Sequence, residues 1–364
     1  MARQSSVDLD SPDRPFDNII NFRDVGRSIN QFCGARILKE GVLFRSARLD
    51  DASERDKRRL AEELHIKTVI DLRSQYVLSY PSLMLSPTNR RLAIRTEHQM
   101  ATRKRRAENA SSSEDGPTDV DAAQASVPLD ADEHLLQIPE SQRALISLTG
   151  KGFERALLSK LDWTTYLYVP PLPQNHPRST ASTELLLMPW ILSIRRVLGL
   201  VVSGYRPDAV RIIGEQVMQP RGLIGLAQDT LDSSAAEIRS VFDLLAREDS
   251  YPALVHCTQG KDRTGLVILM TLLLAGEKVS EAALTDDYVR SELELVPEFE
   301  ERMKEIRALG LGEDYTRCPP GFVGTTTEYL ENKYGGVSGY LTSIGINTQK
   351  QEFIRQMILP QEAA

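Results

Sequence analysis

Cysteine is scarce in this chain. Only Cys33, Cys257 and Cys318 occur among 364 residues, and no two of them form a C-x-x-C pair. An odd, sparse set offers neither a disulfide framework nor a zinc knuckle, and it points to a reducing compartment. Excess positive charge is missing as well. The 44 Lys and Arg are outnumbered by 51 Asp and Glu, for a net charge of −7, so the basic footprint of a nucleic-acid binder is absent. Any anion site must therefore be a local positive spot in an acidic surface. Long apolar runs are lacking too. A membrane-spanning helix needs about 20 apolar residues, yet Leu185 to Val202 is interrupted by Pro189, Arg195 and Arg196, and Leu266 to Ala275 is too short. The polar segment Met1 to Asp13 does not have the form of a secretory signal. These absences lead us to expect a soluble, cytoplasmic protein.

What is present supports a sizeable core. Apolar residues make up 41% of the chain and charged residues 26%, as in ordinary globular domains. We expect a flexible arm over residues 1–15 and one domain over 16–360. Residues 99–135 change character: a basic quartet, Arg103-Lys104-Arg105-Arg106, precedes Ser-rich and acidic stretches. Little there can enter a core, so a disordered insertion and solvated linker is expected. The quartet leaves nuclear access or transient membrane-surface contact open.

Short β-branched or apolar runs predict strands at Val42 to Ser46, Lys67 to Arg73 and Pro252 to His256. Asn18 to Gly26 reads as a polar turn region. Asp51-Ala52-Ser53-Glu54 predicts a helix start, with the helix running to Leu64. Residues 139–165 read as irregular and helical, with Trp163 as a packing anchor, and Pro170, Pro171, Pro173 and Pro177 mark a loop. Further helices are expected at 184–200, 207–218, 222–246, 264–275, 280–294, 297–309, 325–334 and 347–357. Thr264 to Ala275 is almost wholly apolar, which places it in the middle of the fold.

The chemistry concentrates in Val255-His256-Cys257-Thr258-Gln259-Gly260-Lys261-Asp262-Arg263-Thr264-Gly265. A strand runs into a cysteine, five residues intervene, and an arginine leads into an apolar helix. Such a loop turns its backbone N–H groups over the sulfur, and the positive end of the helix faces the same point. Both devices favour the thiolate, which is the nucleophilic form of cysteine. Gly260 permits backbone angles that a side chain forbids, and Gly265 permits close approach in the first helical turn. The Arg263 guanidinium matches two phosphate oxygens at once. Thr264 can donate its hydroxyl to the thiolate, and His256 orders the loop by hydrogen bonding. Thr258, Gln259, Gly260, Lys261 and Thr264 are thus candidates for substrate binding. Cys33 and Cys318 serve as internal controls, because the sixth residue after each is Lys39 or Gly324 rather than arginine. A Walker loop fits poorly: Asp262 stands where Ser or Thr is needed, and Val255 rather than glycine lies five residues before Gly260.

The expected reaction is phosphomonoester hydrolysis. Cys257 attacks phosphorus to form a phosphocysteine, the loop amides and Arg263 stabilise the equatorial oxygens, and water releases phosphate. No metal or other cofactor is needed. A non-catalytic phosphate-binding scaffold is the alternative, and sulfur transfer or arsenate reduction a more distant one.

Beyond the loop, several separated strings resemble the tyrosine-phosphatase-like family of bacteria and fungi. These are Asn21-Phe22-Arg23-Asp24-Val25-Gly26, Phe44-Arg45-Ser46-Ala47, Val69-Ile70-Asp71-Leu72-Arg73-Ser74, Asp287-Tyr288, Tyr334-Gly335-Gly336-Val337 and Gly339-Tyr340-Leu341, together with the loop itself. The likeness covers most of the chain outside residues 1–15 and about 85–140. It implies an α/β cysteine-phosphatase fold, a central mostly parallel sheet flanked by helices, with helix-rich additions. It also implies relaxed specificity that includes phosphotyrosine and phosphoinositides, so the expected partners are phosphorylated proteins or phosphoinositides. Lys261 is similar to a lysine that lipid-phosphate phosphatases carry in this loop, where it adds charge above the phosphate; a solvated lysine beside Asp262 is the other reading. The Trp-Pro-Asp string of many tyrosine phosphatases is absent. Asp262 fits the family pattern for the general acid. Asp71, at the C-terminal end of its strand, is the second candidate, or else a structural partner of Arg73 or Arg23. Arg23, Asp24 and Arg45 either line the rim or fix the fold. Oligomeric state has no signature in the sequence.

Overall fold

The computed structural model describes residues 15–73, 138, 141–160 and 206–360. Among the described residues, five strands form one sheet: β1 (Arg23–Asp24), β2 (Leu43–Ser46), β3 (Thr68–Asp71), β4 (Gln142–Leu145) and β5 (Ala253–His256). Their spatial order is β1-β2-β5-β3-β4. Only the β1–β2 pair is antiparallel. The fold is therefore α/β with a mostly parallel sheet, flanked by helices.

Side-chain alternation along β5 explains its central place. Leu254 lies beside Phe44 of β2 and Val69 of β3, and these join Leu60, Ile66 and Ile138 on one face. Ala253 and Val255 point the other way, into the larger core with Leu43, Ile70, Leu266, Val267 and Met270. A strand covered on both faces reads as an unbroken apolar run, as Ala253-Leu254-Val255 does. The register sets Ser46 and Asp71 on either side of His256. Three strands thus end together where the Cys257 loop begins.

In chain order the helices are α1 (Val25–Cys33), α2 (Glu54–Arg58), α3 (Lys151–Ser159), α4 (Arg206–Ile213), α5 (Gln219–Ser233), α6 (Ala235–Leu245), α7 (Asp262–Leu273), α8 (Glu281–Glu294), α9 (Phe299–Ala308), α10 (Phe322–Tyr334), α11 (Gly336–Ser343) and α12 (Thr348–Ile358). Residues Thr264 to Leu272 of α7 are all buried, as their apolar character predicts. Ser280 caps α8 and Asn347 caps α12 by accepting backbone N–H groups. Among the described residues, no helix is long and apolar enough to cross a membrane.

Three expectations need correction. Asn18 to Gly26 is more than a turn region, because Asp24 caps a helix at Val25 by accepting the Arg27 N–H at 3.2 Å. Within 139–165, read as irregular and helical, the described residues 141–160 hold a strand as well: Gln142–Leu145 pairs with β3, and the helix begins at Lys151. The single helix expected over 222–246 is two. Gly222 leaves the helical region, and Ser234 breaks the run by donating its hydroxyl to the Leu148 carbonyl at 2.8 Å. Residues 1–14 of the arm, the 99–135 insertion, Trp163, the proline-rich loop and the expected helix at 184–200 lie outside the described residues.

Candidate active site

The loop from Cys257 to Arg263 leaves the buried end of β5 and enters α7 at Asp262. Gly260 makes the turn possible. Its φ is +66°, and a Cβ there would stand 2.1 Å from the Ser46 carbonyl oxygen. Only glycine tolerates both the angle and the contact.

Three successive carbonyls of this loop are drawn outward by donors from other parts of the chain. The Arg48 N–H donates to the Thr258 carbonyl at 3.0 Å. The Asn21 side-chain amide donates to the Gln259 carbonyl at 2.9 Å, and Arg45 Nη2 to the Gly260 carbonyl at 2.7 Å. In a trans peptide the following N–H points opposite to the carbonyl. The amides of Gln259, Gly260 and Lys261 are therefore turned to the other side. The Gly260 N–H donates to Cys257 Sγ at 3.2 Å. Arg263 folds back over the loop, with Nη2 3.2 Å from the Thr258 hydroxyl and Nη1 3.5 Å from the Leu72 carbonyl. Thr264 is buried, and its hydroxyl has no hydrogen-bond partner among the described residues.

The donors are themselves fixed. Asn21 sits in the left-handed region at φ 53° and is buried. Its side-chain oxygen accepts from Arg23. Arg23 Nε also pairs with Asp287 of α8 at 2.8 Å, and Arg45 Nη1 pairs with the other oxygen of that carboxylate. Burial opposes the charge of Asp287, but Arg23 and Arg45 outweigh it and lower the carboxyl to about 2. Burial and the nearby Arg45 charge bring Arg23 down to about 10, against the pull of Asp287. Arg23 and Arg45 thus fix the loop from behind. Asp24 does its work as the α1 cap, and it accepts the Gly41 N–H as well.

Asp71 is fully buried and joins Arg73 and Arg143, each at 2.8 Å, with His256 Nε2 at 3.7 Å. Burial alone would raise its carboxyl, yet Arg73 and Arg143, joined by His256 only when that ring is protonated, hold it well below the usual carboxylate range. Such a carboxylate keeps its charge and has no proton to give. Among the described residues Asp71 pairs with Arg73 and Arg143, and Arg23 pairs with Asp287 instead. His256 is buried, which disfavours its charged form; its Nδ1 lies 3.4 Å from the Cys257 carbonyl.

Lys261 lies beside Asp262, as one sequence reading has it, but it is buried rather than solvated. Its side chain is fully buried, and Nζ donates to the Tyr315 carbonyl at 2.8 Å and the Arg317 carbonyl at 2.7 Å. Asp262 is partly exposed. Its Oδ1 accepts from the Tyr288 hydroxyl at 3.1 Å and lies 3.7 Å from Lys261 Nζ.

The tyrosine phosphatase family model matches residues 14–144 and 212–360. The chain belongs to this family. Among curated relatives, a tyrosine-protein phosphatase of Nostoc commune is 33% identical over 130 residues, which cover 33% of this chain and 43% of that protein. The triple specificity protein phosphatase PtpB of Mycobacterium tuberculosis is 28% identical over 146 residues, covering 36% of this chain and 51% of that protein. The chain spans about half the length of these family members or less.

Several residues around the loop had no role in the sequence reading. Asn21, Asp287 and Tyr288 occurred in family-like strings without a function attached. Arg48 was not singled out. Its guanidinium lies 3.4 Å from Glu298 and 3.8 Å from Glu305, which ties the loop flank to α9. Burial pushes the Glu305 carboxyl up to about 7, with Arg48 acting against the shift and Glu298 and Glu301 adding to it.

Proposed function

We propose that this chain is a cysteine-dependent phosphomonoester hydrolase that works through a phosphocysteine intermediate. The observation that carries the reading is the set of three carbonyls at 258–260 drawn away from the loop interior, with the Gly260 N–H on Cys257 Sγ. Inward amides above a sulfur stabilise its anion, and they then stabilise the charge that spreads over a phosphoryl group in transfer.

In this mechanism Cys257 Sγ attacks phosphorus in line with the leaving oxygen. The S–P bond forms as the P–O bond breaks, and Asp262 gives its proton to the departing alkoxide or phenoxide. The ionised Asp262 then takes a proton from water as its oxygen attacks phosphorus. The S–P bond breaks, inorganic phosphate leaves and the thiolate returns. Arg263 grips two equatorial oxygens with its fork, displacing its bond to Thr258. The backbone of Thr258, Gln259, Gly260 and Lys261 cradles the phosphate. The unpartnered Thr264 hydroxyl is a donor for the thiolate as leaving group.

Phosphotyrosine proteins and phosphoinositides are the proposed substrates. The printed name of the mycobacterial relative, with its triple specificity, supports breadth. A cytoplasmic setting agrees with three cysteines that are free of disulfides.

The test is turnover of p-nitrophenyl phosphate. Wild type should release phosphate. Cys257→Ser should abolish release while vanadate affinity remains. Full activity in Cys257→Ser would overturn the reading, and binding of phosphopeptide without phosphate release by wild type would favour the scaffold alternative.

A further inference from the structure

Asp262 projects from the first turn of α7, and its environment is built by α8. The ring of Tyr288 is buried and stacks on Phe322 of α10, with centroids 4.1 Å apart and planes 10° from parallel. The Cδ2–Cε2 edge of the ring lies close to the α7 backbone, where a Cβ on Gly265 would stand 3.0 Å from Cδ2. The Tyr288 carbonyl accepts from Cys318 Sγ at 3.5 Å. The ring is thus packed between Phe322 and the backbone at Gly265, and a buried side chain held this way keeps one rotamer. Its hydroxyl ends at Asp262 Oδ1.

Two consecutive residues of α8 therefore act on the two halves of one loop. Asp287 orients Arg45 onto the Gly260 carbonyl, and Tyr288 reaches Asp262 two residues later. Lys261 Nζ, at 3.7 Å, stands on the same oxygen of Asp262 as Tyr288. No hydrogen bond or ion pair among the described residues falls on Oδ2. Arg302, Tyr315 and Cys318 are further titratable groups near enough to feel the charge of Asp262. Burial pushes the Tyr288 phenol well above its usual range and the Asp262 charge adds to this, so the hydroxyl keeps its proton and acts as donor.

We propose that Tyr288 is the positioning residue for Asp262: its hydroxyl fixes Oδ1 and leaves Oδ2 to meet the leaving-group oxygen. The proposal rests on the reading of Asp262 as general acid. Tyr288 touches no substrate. It acts by removing the freedom of a carboxyl that must lie within hydrogen-bond reach of the bond being broken, where small displacements cost rate.

The test is a double-mutant cycle of Asp262→Asn and Tyr288→Phe. It is read as kcat and KM on an aryl phosphate with a good leaving group and on an alkyl phosphate with a poor one. Asp262→Asn should slow the alkyl ester by about 100-fold or more relative to the aryl ester. Tyr288→Phe keeps the stacked ring and should slow the alkyl ester by about tenfold, with KM for both esters unchanged, if a mispositioned acid forfeits part of that factor. In the double variant Tyr288→Phe should add no further loss, because residues that act through one group are non-additive. A Tyr288→Phe effect equal on both esters, or one that multiplies fully with Asp262→Asn, would overturn the proposal while leaving the acid in place. If Asp262→Asn is itself indifferent to the leaving group, the acid assignment falls and the proposal falls with it. Vanadate affinity and thermal midpoint check that the loop stays folded. Tyr288→Met, which also removes the hydroxyl, repeats the cycle if the Phe variant is unstable.

Discussion

Arg45 donates its Nη2 to the Gly260 carbonyl at 2.7 Å, although the two residues are 215 positions apart in the chain. Both are buried, and the same guanidinium pairs with Asp287. One anion thus balances two interior cations, Arg23 and Arg45, and both bear on the carbonyls that shape the loop. The shape of the loop is set from behind as much as by its own residues.

Asp287→Asn should therefore be among the most damaging single changes away from the loop itself. Leaving a buried charge without its partner costs about 3–5 kcal/mol. Urea unfolding at pH 7 should show a loss of that order, and vanadate affinity should fall with it. The sign with pH follows from the lowered carboxyl. Its stabilisation is present above the unfolded value near ~3.9 and is lost as pH falls through about 2. Wild type should lose this contribution between those limits, and the variant should show a shallower acid dependence there. A variant as stable as wild type at pH 7 would refute the role given to Asp287.

Gly260→Ala combines a strained angle with a collision. At φ +66° a side chain is disfavoured by roughly 1–2 kcal/mol. The larger effect is the new Cβ at 2.1 Å from the Ser46 carbonyl oxygen, which forces β2 and the loop apart. Loss of vanadate binding with the rest of the fold intact is the expected result, read by calorimetry beside far-ultraviolet circular dichroism. Retained affinity would mean that the loop has another way to turn.

What the sequence revealed and what it hid divide along a physical line. The order strand, cysteine, five residues, arginine, apolar helix is local, and local order carries its own geometry. The central place of β5 was readable because a strand buried on both faces has no polar alternation. Edge strand β4, Gln142-Arg143-Ala144-Leu145, is partly exposed and half polar, so it left no such trace. Helix α1 begins within a string rich in poor helix formers, and only the Asp24 cap marked its start. Side-chain roles were the least visible. A lysine that donates to carbonyls 54 and 56 residues away leaves no pattern, because every residue has a carbonyl. Arg45 and Arg23 looked equally suited to a rim or a core until Asp287 appeared between them.

Glu305 makes a prediction of opposite sign to Asp287. Its carboxyl is raised to about 7, against an unfolded value near ~4.3. Stability from the neutral form is full below that unfolded value and is lost as pH rises through about 7. Glu305→Gln removes the penalty of ionising a largely buried group, which is on the order of 3–4 kcal/mol. The variant should match wild type near pH 4.5 and exceed it at pH 8.5, both measured by urea midpoint. A wild type more stable than the variant at pH 8.5 would show that the pairing with Arg48 outweighs the burial.

Lys261 separates two views of the loop. An ammonium poised above the phosphate would favour headgroups that carry further phosphates, so its removal would harm phosphoinositide turnover most. In the structure that ammonium is inside the protein, held by the carbonyls of Tyr315 and Arg317, while Arg302 holds the Thr316 carbonyl between them. Lys261→Met leaves two buried carbonyls without a donor, at about 1–3 kcal/mol each. The expected result is a lower unfolding midpoint, with phosphotyrosine and phosphoinositide turnover reduced by the same factor at matched salt. A loss on the phosphoinositide tenfold greater than on the phosphopeptide would mean that Lys261 leaves its carbonyls when substrate enters, and the lipid headgroup would then be the group that draws it out.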